Sequence, residues 1–295
     1  MIIEKIKKLK KLKNAVLLAH NYQDLEVIKV ADFVGDSVEL ARKAVSTQAE
    51  IIITCGVHFM AESVKLLNKS KKVFLANPEA GCPMAEMCTT NDVKRKKEIY
   101  PQAKVVSYVN TSAAVKAESD ICCTSANVIK VVNSLPEEEI IFTPDLNLAS
   151  YVAEKTNKKV IPIEGYCYVH HYISLEKLQW QKEKTPQAMT LVHPECSAKI
   201  RHEGDMVTST SGMIREVENS KNKDFIIITE SGLSKLLEIK FPEKNFHTVV
   251  GECEDMKRTS LEDVLATLEG ENQEIIIPRE IANKAKKSLE KMLAL

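Results

Sequence analysis

The chain has 295 residues, 44% of them hydrophobic, and its 41 basic side chains are matched by 41 acidic ones. This length and apolar content can bury a substantial core, and length taken alone suggests about two domains. Zero formal net charge excludes a global field that would gather nucleic acid or an anionic membrane, so any anion must be bound locally.

Met1 to Leu12 carries apolar residues at helical spacing with lysines between them, which predicts a surface helix with a solvated lysine face. No apolar stretch approaches the ~20 residues that span a bilayer, and the chain reads as cytosolic. Ala15 to Ala19 is a short apolar run closed by His20-Asn21-Tyr22. Ser37 opens a predicted helix, Val38 to Ala44, and Ile51 to Thr54 follows as a second strand. Met60 to Leu67 reads as a helix, and Val73 to Ala76 as a third strand leading into Cys82.

The same order then recurs twice. Val105 to Ser107 is closed by Tyr108-Val109-Asn110 and Thr190 to Val192 by His193-Pro194-Glu195, so the three triplets begin 88 and 85 residues apart (108−20, 193−108). A hydroxyl at a predicted helix start stands 17 residues after each: Ser37, Ser125 and Thr210 (37−20, 125−108, 210−193). Ile140 to Thr143 and Ile226 to Thr229 repeat the second strand, down to its terminal threonine. Val160 to Ile163 and His247 to Val250 repeat the third and lead into Cys167 and Cys253. Periodicity on this scale outranks the length estimate. It predicts three homologous three-layer α/β units, parallel sheets with covering helices, around a pseudo-threefold axis: residues 1–101, 102–186 and 187–295, the last with an added C-terminal helix. Units of about 85 residues bury too little surface alone, so the three should pack tightly.

Cys82, Cys167 and Cys253 are 85 and 86 residues apart (167−82, 253−167) and occupy the same place in their units. In a cytosolic chain eight cysteines predict free thiols rather than a disulfide framework. Cys55, Cys88, Cys122 and Cys123 read as small buried hydrophobes, while Cys196 is set apart only by following His193-Pro194-Glu195. Ligands of parallel sheets bind beyond the carboxyl ends of the strands. Placing the triplets, the terminal threonines and the cysteines at strand ends brings three thiols and three polar triplets to one cavity. Structural zinc usually takes four ligands, often in close Cys-x-x-Cys pairs, and no such pair occurs here. A cubane iron-sulfur cluster on three cysteines leaves one iron open, which suits a Lewis acid better than an electron carrier. Shared buried packing of the three thiols is the simpler alternative.

The residues resemble the quinolinate synthases, the NadA family. The resemblance rests on Ala19-His20-Asn21-Tyr22-Gln23, Ala31-Asp32-Phe33-Val34-Gly35-Asp36-Ser37, Phe59-Met60-Ala61-Glu62, Tyr108-Val109-Asn110, Thr124-Ser125-Ala126-Asn127, Pro144-Asp145-Leu146-Asn147-Leu148, His193-Pro194-Glu195-Cys196 and Met256-Lys257. It implies three homologous α/β domains around a central [4Fe-4S] cluster with one iron not held by cysteine. It further implies condensation of iminoaspartate with dihydroxyacetone phosphate, with loss of phosphate and two waters, to quinolinate for NAD biosynthesis. By motif, the resemblance makes Cys82, Cys167 and Cys253 the cluster ligands. It assigns the substrate pocket to His20, Ser37, Tyr108, Val109, Asn110, Ser125, His193, Pro194, Glu195 and Thr210. An aspartate-oxidising enzyme is the implied upstream partner; nucleic acid and membrane are not.

Residue chemistry suggests roles within that pocket. Ser37, Ser125 and Thr210, opening helices, can hold anions with a hydroxyl and helix N-terminal amides, or serve only as N-caps. His20, Tyr22 and Glu195 are the expected proton movers, with Tyr108 in the catalytic group and, like Asn110, orienting substrate. His58, Tyr166 and Ser211 depart from the family pattern. Tyr166 is expected to influence the surroundings of Cys167, and His58 to serve surface or packing. His170 and His171 read as helix positions near the cavity rather than ligands. Lys199 and Arg201 supply positive charge there or belong to solvated surface. Two rival functions stay open at this point: another iron-sulfur hydro-lyase, and a non-enzymatic metal or redox sensor.

Overall fold

The computed structural model describes all 295 residues. Twelve short strands form three separate four-stranded sheets, every pairing parallel. Strands β1 (Ala15–His20), β2 (Phe33–Gly35), β3 (Ile51–Cys55) and β4 (Lys72–Leu75) pair in the order β2-β1-β3-β4. The second unit repeats this with β5 (Lys104–Tyr108), β6 (Ile121–Cys123), β7 (Glu139–Thr143) and β8 (Lys159–Pro162). The third repeats it with β9 (Met189–Val192), β10 (Met206–Val207), β11 (Asp224–Ile228) and β12 (Asn245–His247).

The sequence predicted three strands per unit and the structure has four. The additional strand is the edge strand β2, β6 or β10, two or three residues long, and so short a stretch carries no readable periodicity. Each follows an aspartate that takes a backbone N–H of the neighbouring strand: Asp32 from Leu17 at 2.8 Å, Asp120 from Val105 at 2.9 Å and Asp205 from Thr190 at 2.7 Å.

Alternate residues along each central strand face different cores, as the pleat requires. Val16, Leu18, Val106, Phe142, Leu191 and Ile227 point into one cluster of 45 buried residues shared by all three sheets. Leu17 and Ile53, Val105 and Ile141, and Val192 and Ile226 instead face three smaller clusters, one per sheet. Both faces are therefore covered, which explains why the strands read as continuous apolar runs rather than alternating ones.

Each outer cluster is closed by a helix whose N-cap lies seven residues after the preceding unit's cysteine. Thr89, Ser174 and Ser260 follow Cys82, Cys167 and Cys253 at that interval (89−82, 174−167, 260−253). Each accepts the backbone N–H three residues on, from Asp92, Lys177 and Asp263, the usual N-cap geometry. Helix Thr90–Ile99 sends Val93 onto the second sheet and Leu175–Lys184 sends Leu178 onto the third. Leu261–Glu269 returns to the first with Leu261, Val264 and Leu268. The cover is thus passed cyclically from unit to unit.

The N-terminal helix Ile2–Leu12 buries Ile6 in the first sheet's outer cluster, and Lys10 donates to Val30 O at 2.6 Å. The C-terminal helix Arg279–Leu293 buries Ala282, Ala285, Leu289 and Met292 in the shared core, and Ser288 Oγ donates to Lys116 O at 2.9 Å in the second unit. No helix is long and apolar enough to cross a membrane.

Candidate active site

In the order β2-β1-β3-β4 the chain changes direction between β1 and β3, and the crevice at such a point receives ligand. His20 ends β1, Tyr108 ends β5 and His193 follows β9 directly. From these three ends the chain enters a cavity whose wall is drawn from all three units.

The wall holds His20, Tyr22, Ser37, Tyr108, Asn110, Ser125, His193, Glu195 and Thr210, together with Cys82, Cys167 and Cys253. Val109 and Pro194 are not on it: Val109 is buried on the other side of its loop, where its carbonyl takes the Lys116 ammonium at 2.7 Å, and Pro194 is buried behind its neighbours. The middle residue of a triplet turns away from the space its flanking residues face.

The cysteines sit a little differently from the expected strand ends. They lie seven, five and six residues beyond β4, β8 and β12 (82−75, 167−162, 253−247) and cap the short helices Pro83–Glu86, Tyr168–His171 and Glu254–Lys257. None of the three cysteines takes a capping hydrogen bond from its helix on its sulfur. They are also the three half-buried cysteines, and the five others are buried away from the cavity wall. Burial pushes the Cys82 thiol up to about 12, and raises Cys167 and Cys253 as well, with neighbouring Cys253, Glu195 and Glu230 adding to it. A thiolate there needs a cation, and the convergent helix starts favour the anionic sulfur.

The polar half of the cavity is built around Glu195, 4% exposed. Tyr108 donates its phenol to Oε1 at 2.6 Å, and His170 Nδ1 lies 2.8 Å from Oε2. His170 Nε2 meets Thr229 Oγ1 at 2.9 Å, which meets the Tyr22 phenol at 2.6 Å. The chain Tyr108, Glu195, His170, Thr229, Tyr22 therefore crosses all three units. With Glu195 ionised, Tyr108 and His170 Nδ1 both donate to the carboxylate. His170 is, as expected, a helix position near the cavity: it lies in Tyr168–His171 and lines the wall. It lies 3.2 Å from Cys167 Sγ and stacks on His193 at 4.8 Å, and with Cys167 and Glu195 it forms a set of potential metal-binding atoms that the sequence did not single out.

Burial would raise Glu195, but His170 and His193 beside it, with hydrogen bonds from His170 and Tyr108, hold it down at about 2. Burial raises the Tyr22 and Tyr108 phenols well above their ordinary value, reinforced by the Glu195 charge, so both are proton donors at neutral pH. Burial lowers His20 to about 4 and His193 to about 3 against the opposing pull of Glu195. Their Nδ1 atoms accept the backbone N–H two residues on, from Tyr22 at 3.2 Å and Glu195 at 3.3 Å. Each neutral imidazole consequently carries its proton on Nε2.

The expected helix-start hydroxyls differ among units. Ser37 and Thr210 are first residues of the helices Ser37–Ser46 and Thr210–Asn219, with Asp36 and Ser209 as the caps, whereas Ser125 precedes the cap Asn127 by two residues. None of the three is itself an N-cap. Asp36 already takes the N–H groups of Val38 and Glu39, each at 3.0 Å, which reduces the anion-binding capacity of that helix start.

Several other expectations change. Tyr166 turns outward, its hydroxyl 2.9 Å from that of Tyr172, and it is Tyr168 that lines the cavity, with its hydroxyl 3.8 Å from Cys253 Sγ. Lys199 is exposed, but Arg201 is 2% exposed and neither solvated nor on the wall. It donates to Asn147 O at 3.0 Å, Cys196 O at 2.7 Å and Ser150 Oγ at 3.1 Å, pinning the third unit to the second. His58 is exposed, 4.0 Å from Glu62.

Three thiols, a buried carboxylate, two neutral phenols and two neutral imidazoles on one cavity wall form a set suited to proton transfer and compatible with a metal cofactor. The chain belongs to the family described as quinolinate synthetase A protein, NadA, whose model matches residues 4–294. It is 46% identical to quinolinate synthase 2 of Methanosarcina acetivorans, with 100% of this chain and 96% of that one covered. It is likewise 46% identical to the quinolinate synthases of Alkaliphilus metalliredigens and Methanocaldococcus jannaschii, covering 97% and 98% of those chains and 99% of this one in each case.

Proposed function

We propose that this chain condenses iminoaspartate with dihydroxyacetone phosphate to give quinolinate, phosphate and two waters, on a [4Fe-4S] cluster held by Cys82, Cys167 and Cys253. The observation that carries the reading is the meeting of exactly these three thiols with Tyr22, Tyr108 and Glu195 on one cavity wall. The donor set fits the cluster: three thiols in equivalent positions, each at a helix start, and no fourth cysteine on the wall. When bound, the cluster supplies a Lewis-acidic iron with one position open to a substrate carboxylate or hydroxyl.

The chain's own residues supply the rest. Thr210 and Ser37, with Ser125 and Asn110, hold the carboxylates and phosphate through hydroxyls and amides, since no lysine or arginine lies on the wall. His20 and His193 donate from Nε2 to substrate oxygens and fix their orientation. Glu195 Oε2 takes a proton from the substrate carbon or nitrogen during condensation. The Tyr22 phenol gives its proton to the oxygen that leaves as water, and Tyr108 keeps Glu195 ionised until it acts. Ordinary cytoplasmic conditions suit this chemistry, and an aspartate-oxidising enzyme would supply iminoaspartate.

The test is anaerobic reconstitution of the chain with iron and sulfide, followed by a quinolinate assay with both substrates. A well-formed cluster without quinolinate would leave a sensor or another hydro-lyase; failure of the Cys167→Ala chain to lose the cluster would remove that ligand.

A further inference from the structure

We infer that Lys257 is a positioning residue, whose ammonium ties the Tyr22 loop of the first unit to the Cys253 loop of the third so that the phenol and the thiol are held as one rigid piece. Lys257 Nζ donates to the Tyr22 carbonyl and lies 3.4 Å from Glu230 Oε1 and 3.6 Å from Asp24 Oδ1. The Glu230 side chain is wholly buried, and both its oxygens take backbone N–H groups, Oε1 from Cys253 at 3.2 Å and Oε2 from Gly232 at 2.7 Å. One carboxylate therefore holds the cysteine's backbone while the ammonium opposite it holds the tyrosine's.

Every residue from Asn21 to Asp24 is fastened to the third unit. Asn21 Nδ2 donates to Thr210 Oγ1 at 3.3 Å, the Tyr22 hydroxyl meets Thr229 at 2.6 Å, Gln23 Nε2 donates to Met256 O at 2.6 Å, and Asp24 pairs with Lys257. Lys257 joins three of the groups in this seam: the Tyr22 carbonyl, Asp24 and Glu230. Gly232 gives independent support. A Cβ there would stand 2.6 Å from Lys257 Nζ, 2.7 Å from Glu230 Oε2 and 2.8 Å from Tyr22 O, so the absent side chain is the space the latch occupies. A buried ion pair is a poor source of stability compared with apolar packing, and its best-attested use is to specify one arrangement.

The kinetic consequence rests on the proton-donor role proposed for Tyr22; the structural one does not. The experiment is hydrogen exchange by mass spectrometry on the full metal-free chain, comparing wild type with Lys257→Met, Gly232→Ala and the double variant. Exchange over residues 21–24 should rise roughly tenfold or more in either single variant, with the strands β1, β5 and β9 unchanged. The double variant should be no faster than the singles, because both remove one latch. In reconstituted enzyme, kcat should fall roughly tenfold with KM nearly constant, as for a group acting in the transition state. Wild-type exchange over residues 21–24 in Gly232→Ala overturns the latch, and that variant keeps the test open if Lys257→Met does not fold. Faster exchange with full turnover supports the latch and overturns the role given to Tyr22.

Discussion

Replacing Tyr22 by phenylalanine removes a single oxygen from the centre of the hydrogen-bonded chain, and the structure says how little else it disturbs. Thr229 Oγ1 loses the phenol at 2.6 Å but keeps His170 Nε2 at 2.9 Å, so no buried hydroxyl is stranded. The ring retains its edge-on contact with His20, centroids 4.5 Å apart. A net hydrogen bond of this kind contributes about 0.5–1.5 kcal/mol to stability. A general acid removed from its reacting oxygen costs about 10²–10⁴ in rate, or roughly 3–5 kcal/mol of barrier. The two effects are therefore separable by magnitude. Urea unfolding of the metal-free variant should give a midpoint close to wild type, while quinolinate formation by the reconstituted variant falls at least about a hundredfold in kcat. A kcat within a factor of about two of wild type, with a normal cluster spectrum, would refute the assignment of Tyr22 as proton donor.

Arg201→Met should destabilise the chain by roughly 1–3 kcal/mol or more, because it strands the buried Cys196 carbonyl and removes the partner of the Glu154 carboxylate at 2.5 Å; an unchanged urea midpoint contradicts this. Cys167→Ala should abolish the visible absorption of the reconstituted cluster, whereas Cys196→Ala, buried off the cavity wall, should keep it, and equal spectra from the two variants would count against the proposed ligand set. Burial raises every thiol of the metal-free chain above its ordinary value, Cys55 and Cys82 to about 12 and Cys88 to about 11. The unfolded chain then loses these protons first, so the stability they contribute is complete below about pH 9 and falls as pH rises towards 12, by about 1.4 kcal/mol per thiol per pH unit. Denaturant titrations at pH 8 and 10 should show the loss, and equal midpoints would contradict it.

The repeat was legible because it is carried by several kinds of residue at once: the strand-ending triplets, the threonines and the cysteines all recur at nearly one interval. That registration alone directs His20, Tyr108, His193 and the three cysteines towards one cavity. The edge strands escaped because Met206–Val207 and its counterparts are too short to show a period, although Asp32, Asp120 and Asp205 mark them at intervals of 88 and 85 (120−32, 205−120). His170 escaped for a different reason. Its importance comes from Glu195 and Thr229, which meet it from another unit, and no local pattern encodes a partner that distant. Arg201 shows the reverse error: a charged side chain near a site suggests ligand binding or solvent, while its actual partners are two carbonyls, the Ser150 hydroxyl and the Glu154 carboxylate, three of the four across the seam with the second unit. The expected breaks after residues 101 and 186 follow the helices Thr90–Ile99 and Leu175–Lys184, whose packing partners lie on the next sheet rather than the preceding one.

The cyclic passing of cover helices fixes an order of completion during synthesis. The second sheet has both its strands and its outer helix once residue 162 is made, and the third waits only for residue 247. The first sheet, although made earliest, lacks Leu261–Glu269 until almost the whole chain has left the ribosome. At about 5–20 residues per second, that leaves its outer face partly bare for roughly ten seconds or more, while the later units are already closing. Of the three outer faces, that of the earliest sheet is thus the last to be covered, and only Arg279–Leu293, which packs into the shared core against the second unit, comes after it. A chain stopped before residue 261 would leave the apolar outer face of the first sheet open to chaperones and proteases.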